Sequence, residues 1–196
     1  MSHDSLRARL RHATAPYHAR VDACFSVFDL GSVEGYRAFL AAHAAALWPL
    51  ELGLEAAGVE NLLTDWPARR RRGALARDLV RLGMAPPDDG GVVPLRLADA
   101  AECWGALYTL EGSRLGGTVL ARRVATAPVL AGCLDYLSHG AGQALWPGFV
   151  AQLELAAARL PWPAICVGAC AAFEIFDVAA HNTIDSTTPH LAGSTS

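Results

Sequence analysis

Lysine is missing from this chain of 196 residues, and all 16 of its basic side chains are arginine. We read that as genome composition and attach no function to it. Charge of either sign is sparse: charged residues make up 18% of the chain and the formal net charge is −3. There is no global basic excess, which argues against a nucleic-acid partner. No repeat and no alternating apolar–polar run occurs, which argues against a β architecture. No secretory signal precedes the five cysteines, Cys24, Cys103, Cys133, Cys166 and Cys170, whose number is odd and whose spacing is irregular. They read as reduced, mostly buried thiols of a cytoplasmic protein. Cys166 and Cys170 share a helical face at i, i+4, but no partner ligands accompany them and no metal site is expected there. A convincing membrane span is also lacking. The uncharged run from Tyr136 to Leu153 contains Ser138, His139, Gly140, Gly142, Gln143 and Pro147, which suits a loop-to-helix passage better.

What is present is apolar and helical. Apolar residues make up 53% of the chain, enough for one folded domain with a sizeable core over residues 1–196. Order is expected over residues 5–185, with 186–196 as a mobile tail. Leu6, Leu10, Ala13, Tyr17 and Val21 recur at three- and four-residue steps and predict a first helix, interrupted by Pro16. Ser32 caps a second helix, bent near Pro49. Pro67 opens a third over "ARRRRGALARDLVRL", stopped by Gly83. Asp99 and Glu102 form a capping box for a helix reaching about Arg123. Two more are expected, from about Leu145 to Leu160 and from about Ala164 to Ile184. The sum is an all-α, single-domain bundle of about seven to eight helices.

Within the helix that follows Asp99 lies "YTLEGSRLGG", residues 108–117. Gly112, Gly116 and Gly117 each weaken a helix by roughly 0.5–1 kcal/mol relative to alanine. Gly112 and Gly116 are four apart and share a smooth face. That face suits either close helix–helix packing or a flat ligand lying across a kinked helix, and Gly117 adds to the kink rather than to the face. A flat ligand that holds a metal needs a ligand on its other side. Among seven histidines, His18 is distinguished by Asp22 at i+4. That carboxylate can accept the Nδ1 proton and leave Nε2 for a metal. Arg11, two turns earlier, can pair with an anionic group beside the metal. On the residues alone, a structural histidine remains the other reading. His43, among alanines, reads as a core histidine. Arg69 to Arg72 read as a solvated helix face or, alternatively, as a docking patch for an electron donor.

Together, "LRARLRHATAPYHARVDA" and "YTLEGSRLGG" resemble the heme oxygenase family, above all its bacterial, phytochrome-associated branch. "RGALARDLVRLG" is a weaker match, and the likeness spans roughly residues 5 to 185. The resemblance implies an all-α domain in which heme lies between the first helix and a kinked distal helix. It implies oxidative cleavage of heme to biliverdin, carbon monoxide and iron, with O2 and electrons from a redox partner or small reductant. A bacterial phytochrome accepting biliverdin is a further implied partner. By position, His18 matches the axial iron ligand, with Thr14 in the proximal spacing and Asp22 as the acidic partner of the histidine. Arg11 matches a propionate contact, Gly112, Gly116 and Gly117 the distal glycines, and Phe173 an aromatic lining the pocket.

Some members carry aspartate after the first distal glycine, where it anchors a water network. Here the residue is Ser113, which stands in the catalytic position or else bonds back to the carbonyl of Thr109. No Lys or Arg lies between Arg123 and Arg159, so Tyr136, Ser138, His139 or Gln143 would supply further propionate contacts. Two other functions remain compatible with the sequence: a non-catalytic heme carrier or sensor, and a pocket for another small molecule on a fold shared with thiamine-degrading enzymes.

Overall fold

The computed structural model describes residues 5–187. Among them are seven α-helices and three short 3₁₀ turns, with no strand. The helices are α1 (Leu6–Phe25), α2 (Val33–Ala56), α3 (Trp66–Arg69), α4 (Arg72–Arg81), α5 (Ala100–Val124), α6 (Leu145–Ala157) and α7 (Trp162–Thr187). The all-α expectation therefore holds. The C-terminal part of the expected tail, 188–196, lies outside the described residues.

Local signals start these helices. The Ser32 hydroxyl accepts the Gly35 N–H at 3.0 Å, and Ser5 plays the same part for α1 through Ala8. Asp99 accepts the N–H groups of Ala101 and Glu102 at 2.8 and 3.0 Å. Glu102 returns to the N–H of Ala98, one residue further upstream than a capping box requires. Gly83 ends α4 in the left-handed region, at φ +71°.

Two expectations fail for long-range reasons. Pro16 does not interrupt α1, which runs through it; a proline removes one backbone hydrogen bond, and the turns on either side hold. The helix predicted after Pro67 is broken at Arg70, whose backbone is extended, leaving the single turn α3 and then α4. Glu51, deep in α2, accepts the N–H groups of Arg71 and Arg72 at 2.7 and 3.1 Å and so caps α4 from another helix. Burial pushes the Glu51 carboxyl up, while these amides and the two guanidiniums pull it down. The same turn overturns both readings of the arginine run. Arg69 and Arg71 are only 2% and 5% exposed. Of the four, Arg70 is the one that faces solvent.

The core is built on α7, against which α5, α2 and α1 all pack. α7 is long and apolar enough to cross a membrane by length and composition, but here it is the helix that three others cover. The run from Tyr136 to Leu153 is loop and then the first part of α6. α5 and α7 meet through reciprocal notches. A Cβ on Gly168 would lie 1.9 Å from the Glu102 carbonyl oxygen, and one on Gly105 would lie 2.0 Å from that of Ile165. The Thr109 hydroxyl donates to the Ala169 carbonyl at 3.0 Å in the same contact. α1, by contrast, buries only Leu10 and Thr14.

Candidate functional site

α1 and α5 each rest on α7 and share few contacts with one another. His18 projects from α1 with its side chain 62% exposed, and its Nδ1 lies 2.9 Å from Asp22 Oδ2. The i, i+4 pair read from the sequence is thus formed. Nε2 has no partner among the described residues. Phe173 of α7 meets the imidazole edge-on, with ring centroids 5.7 Å apart. Thr14 is buried; its hydroxyl donates to the Leu10 carbonyl at 2.8 Å and lies in hydrogen-bond reach of Tyr108 on α5. Arg7 and Arg9 lie over the indoles of Trp146 and Trp162. Arg11 is exposed and has no ion-pair partner among the described residues.

The three glycines of α5 are used differently. Gly116 is exposed, and a Cβ built there would meet nothing within 4 Å. Leu115 and Val119, one and three residues away, are 54% and 65% exposed. At this spacing Gly112, Leu115, Gly116 and Val119 form one apolar, partly bare stripe. Gly112 is roofed by Trp146, 3.7 Å from an added Cβ. Gly117 is buried and turned away, with an added Cβ 3.0 Å from the Leu137 carbonyl oxygen. Close packing, the plainer reading of the motif, belongs to Gly105 and Gly168 rather than to Gly112 and Gly116.

Ser113 does not bond to Thr109. Its hydroxyl donates to the Leu110 carbonyl at 2.7 Å and accepts from the Arg71 guanidinium at 2.9 Å. Arg71 also donates to the Leu110 carbonyl and lies over the Tyr136 ring. Beside it, Glu111 accepts from Arg69 at 2.6 Å and from Arg114 at 2.9 and 3.0 Å. Arg114 reaches on to His139 Nδ1 at 3.1 Å and to the carbonyl of Arg69. Sequence reasoning missed this buried network under α5. Its signal was there, in an acidic residue inside the glycine motif and an arginine run after a helix-opening proline. Tyr136 is buried in the core and leaves the set of propionate candidates. Ser138, His139 and Gln143 line a shallow cleft with Arg114, Leu115 and Trp146.

His43 is the core histidine expected, ringed by Phe25, Phe39, Tyr136 and Phe176, with its Nδ1 buried and unpartnered. Burial, aided by the Arg71 charge, pushes its pKa down to about 3. Burial and then Arg114 push that of His139 down to about 4. Unfolding therefore takes up protons below the ordinary histidine value of 6.5. Stability is whole above that pH and falls as the pH drops toward 4, by up to about 1.4 kcal/mol per pH unit for each ring. Urea unfolding at a series of pH values measures the slope. His43→Phe should flatten it by about one proton, and an unchanged slope would place the burden elsewhere.

No family model matches the chain. A heme oxygenase of Xanthomonas campestris pv. campestris (strain 8004) is 41% identical over 109 residues, which cover 50% of this chain and 64% of that protein. The chain thus matches less than two thirds of that relative's length. Among solved structures, the NO- and CO-bound heme oxygenase from Neisseria meningitidis aligns with a TM-score of 0.71 and 24% identity, over 98% of this chain and 99% of the other. At that identity the likeness is one of fold. The two motifs implied a histidine-bearing helix and a glycine-notched helix in one all-α domain; the structure seats both on α7, and the chain is similar to a heme oxygenase in sequence over half its length and to another in fold over nearly all of it.

Proposed function

We propose that the chain is a heme-degrading enzyme that takes heme as cofactor and substrate and, with O2 and an external electron donor, releases biliverdin, carbon monoxide and iron. The observation that carries this is His18, an exposed imidazole whose Nδ1 is tied to Asp22 and whose Nε2 is free. The surroundings suit a porphyrin. Leu115 and Val119 offer exposed apolar surface, Gly116 leaves backbone bare, and Arg11 is an unpaired cation for a propionate. Bound heme supplies the iron at which O2 is reduced.

The chain's own residues do the rest. Asp22 fixes the His18 tautomer and orients the ring so that Nε2 is the nitrogen left to ligate. Thr14 and Tyr108 hold α1 beside α5, and Phe173 backs the imidazole. Gly112, Gly116 and Gly117 keep the distal helix slim, Gly116 on the open face. Ser113, held by Arg71 and next to Gly112, is where a proton path would begin. We place the enzyme in the cytoplasm as one domain over 1–196, served by a redox protein or small reductant and feeding biliverdin to an acceptor such as a bacterial phytochrome. The second reading, a heme carrier or sensor, draws on the same Ser113, whose hydroxyl is already bonded twice.

Hemin titration and aerobic turnover separate the two. The enzyme is expected to show a Soret shift on binding hemin. With ascorbate under air it should then lose that band and gain the broad red absorption of biliverdin, whereas a carrier would keep its heme. His18→Ala should lose the shift. Asp22→Asn should weaken hemin binding by about 10–100-fold, the usual effect of removing a ligand's hydrogen-bonded support. A Soret band that persists under reductant rules out turnover.

A further inference from the structure

Where the C-terminal end of α1 crosses α7, three side chains converge that the heme reading does not use. Cys24 Sγ lies 3.3 Å from Asp177 Oδ1 and 3.5 Å from His181 Nε2. His181 Nδ1 lies 3.5 Å from Asp177 Oδ1. We propose that Cys24, Asp177 and His181 form a binding site for a divalent transition metal of the zinc type, which clamps α1 to α7.

Geometry and ligand chemistry carry the proposal. With metal–sulfur bonds of about 2.3 Å and metal–nitrogen or –oxygen bonds of about 2.0–2.1 Å, the edges of a tetrahedral site come to roughly 3.3–3.6 Å. The Sγ–Oδ1 and Sγ–Nε2 separations fall in that range without any movement of the backbone, and the other ring nitrogen, Nδ1, makes the 3.5 Å contact to Oδ1. One thiolate, one imidazole and one carboxylate form a donor set that favours zinc over magnesium or calcium. The support for each ligand is also in place. His181 Nδ1 is 2.9 Å from the Asp177 carbonyl, one turn earlier, which makes Nδ1 the protonated nitrogen and leaves Nε2 to ligate. Arg20 Nε stands 3.5 Å from the second carboxylate oxygen, Oδ2. His181 is exposed and Cys24 and Asp177 are half-buried, so solvent can complete the fourth position.

A nucleophilic cysteine is the less apt account. Asp177 lies against the sulfur itself instead of standing behind the imidazole, and burial together with that carboxylate pushes the Cys24 thiol up. A cation between the three groups reverses that balance, because it stabilises the thiolate directly. The proposal does not depend on heme binding, since His18 and Asp22 take no part in it.

The test uses the full, heme-free chain, stripped with chelator and titrated with Co2+. At one equivalent the expected result is a thiolate-to-cobalt charge-transfer band in the near ultraviolet, with the intense visible bands of tetrahedral cobalt, both erased by Zn2+. Cys24→Ser and His181→Ala should each lose the charge-transfer band or the tetrahedral pattern. Each should also lower Zn2+ affinity by more than the roughly 10–100-fold that a supporting hydrogen bond contributes. Cys166→Ser should leave both unchanged, and far-ultraviolet circular dichroism of the exposed-site variant His181→Ala verifies the fold. No charge-transfer band in the wild type, or one that survives Cys24→Ser, overturns the site.

Discussion

Glu111→Leu is expected to lower the unfolding free energy by about 3–5 kcal/mol, as removing one member of a buried ionic cluster does. Glu111 is 1% exposed and accepts from both Arg69 and Arg114. Leucine fills similar space but leaves the Arg114 guanidinium without its anion and Arg69 with Asp65 alone. For a domain of this size the thermal midpoint should fall by roughly 10–15 °C. Circular dichroism during heating measures it. Arg70→Ala is the contrast, since Arg70 is exposed and its nearest carboxylate, on Glu55, is 3.7 Å away. Its effect should stay within about 0.5 kcal/mol. Equal losses from the two would mean that the Glu111 cluster is hydrated and contributes as surface pairs do.

The second large effect is at the α5–α7 crossing. Gly168→Ala sets a methyl 1.9 Å from a backbone oxygen of Glu102, so the helices must separate. The expected loss is about 3 kcal/mol, at the upper end of what overpacking costs because neither neighbour is a flexible side-chain tip. Gly116→Ala should act with the opposite sign. Nothing lies within 4 Å of its added methyl, and the helix gains roughly 0.5–1 kcal/mol from the better former. The same methyl stands on the proposed heme face, so hemin binding should weaken while the protein becomes harder to unfold. Denaturation paired with hemin titration reads both. If Gly116→Ala improved stability and left heme binding untouched, the bare backbone at that position would have no part in the site.

These two glycines show where sequence reading reaches and where it stops. Helices α1, α2 and α5 were legible because apolar spacing and capping residues act within a few positions, and the His18–Asp22 pair was legible because it spans one turn. The tight contact at Gly105 and Gly168 was not. Both are single glycines in apolar helices, and only the crossing of α5 over α7 gives them a purpose. The arginine run misled for a related reason. Its amides are captured by Glu51, 20 residues earlier in sequence, and no local pattern shows a cap that arrives from another helix. Pro16 misled in the other direction, since a propensity that would break an isolated helix is overridden when the flanking turns are held in place. Asp177 and His181 share one helical turn, but Cys24 joins them from more than 150 residues away, and no local pattern shows that partner.

α1 holds the proposed iron ligand yet buries just two of its residues, Leu10 and Thr14. Like α6, which also buries two, it has little interior to lose by peeling away, and segments with so little interior open readily in the folded state. Under the proposed function, a porphyrin need not thread into a closed interior. It can slide in while the proximal helix swings outward, as a page turns from a spine, and the seam between α5 and α7 stays shut throughout.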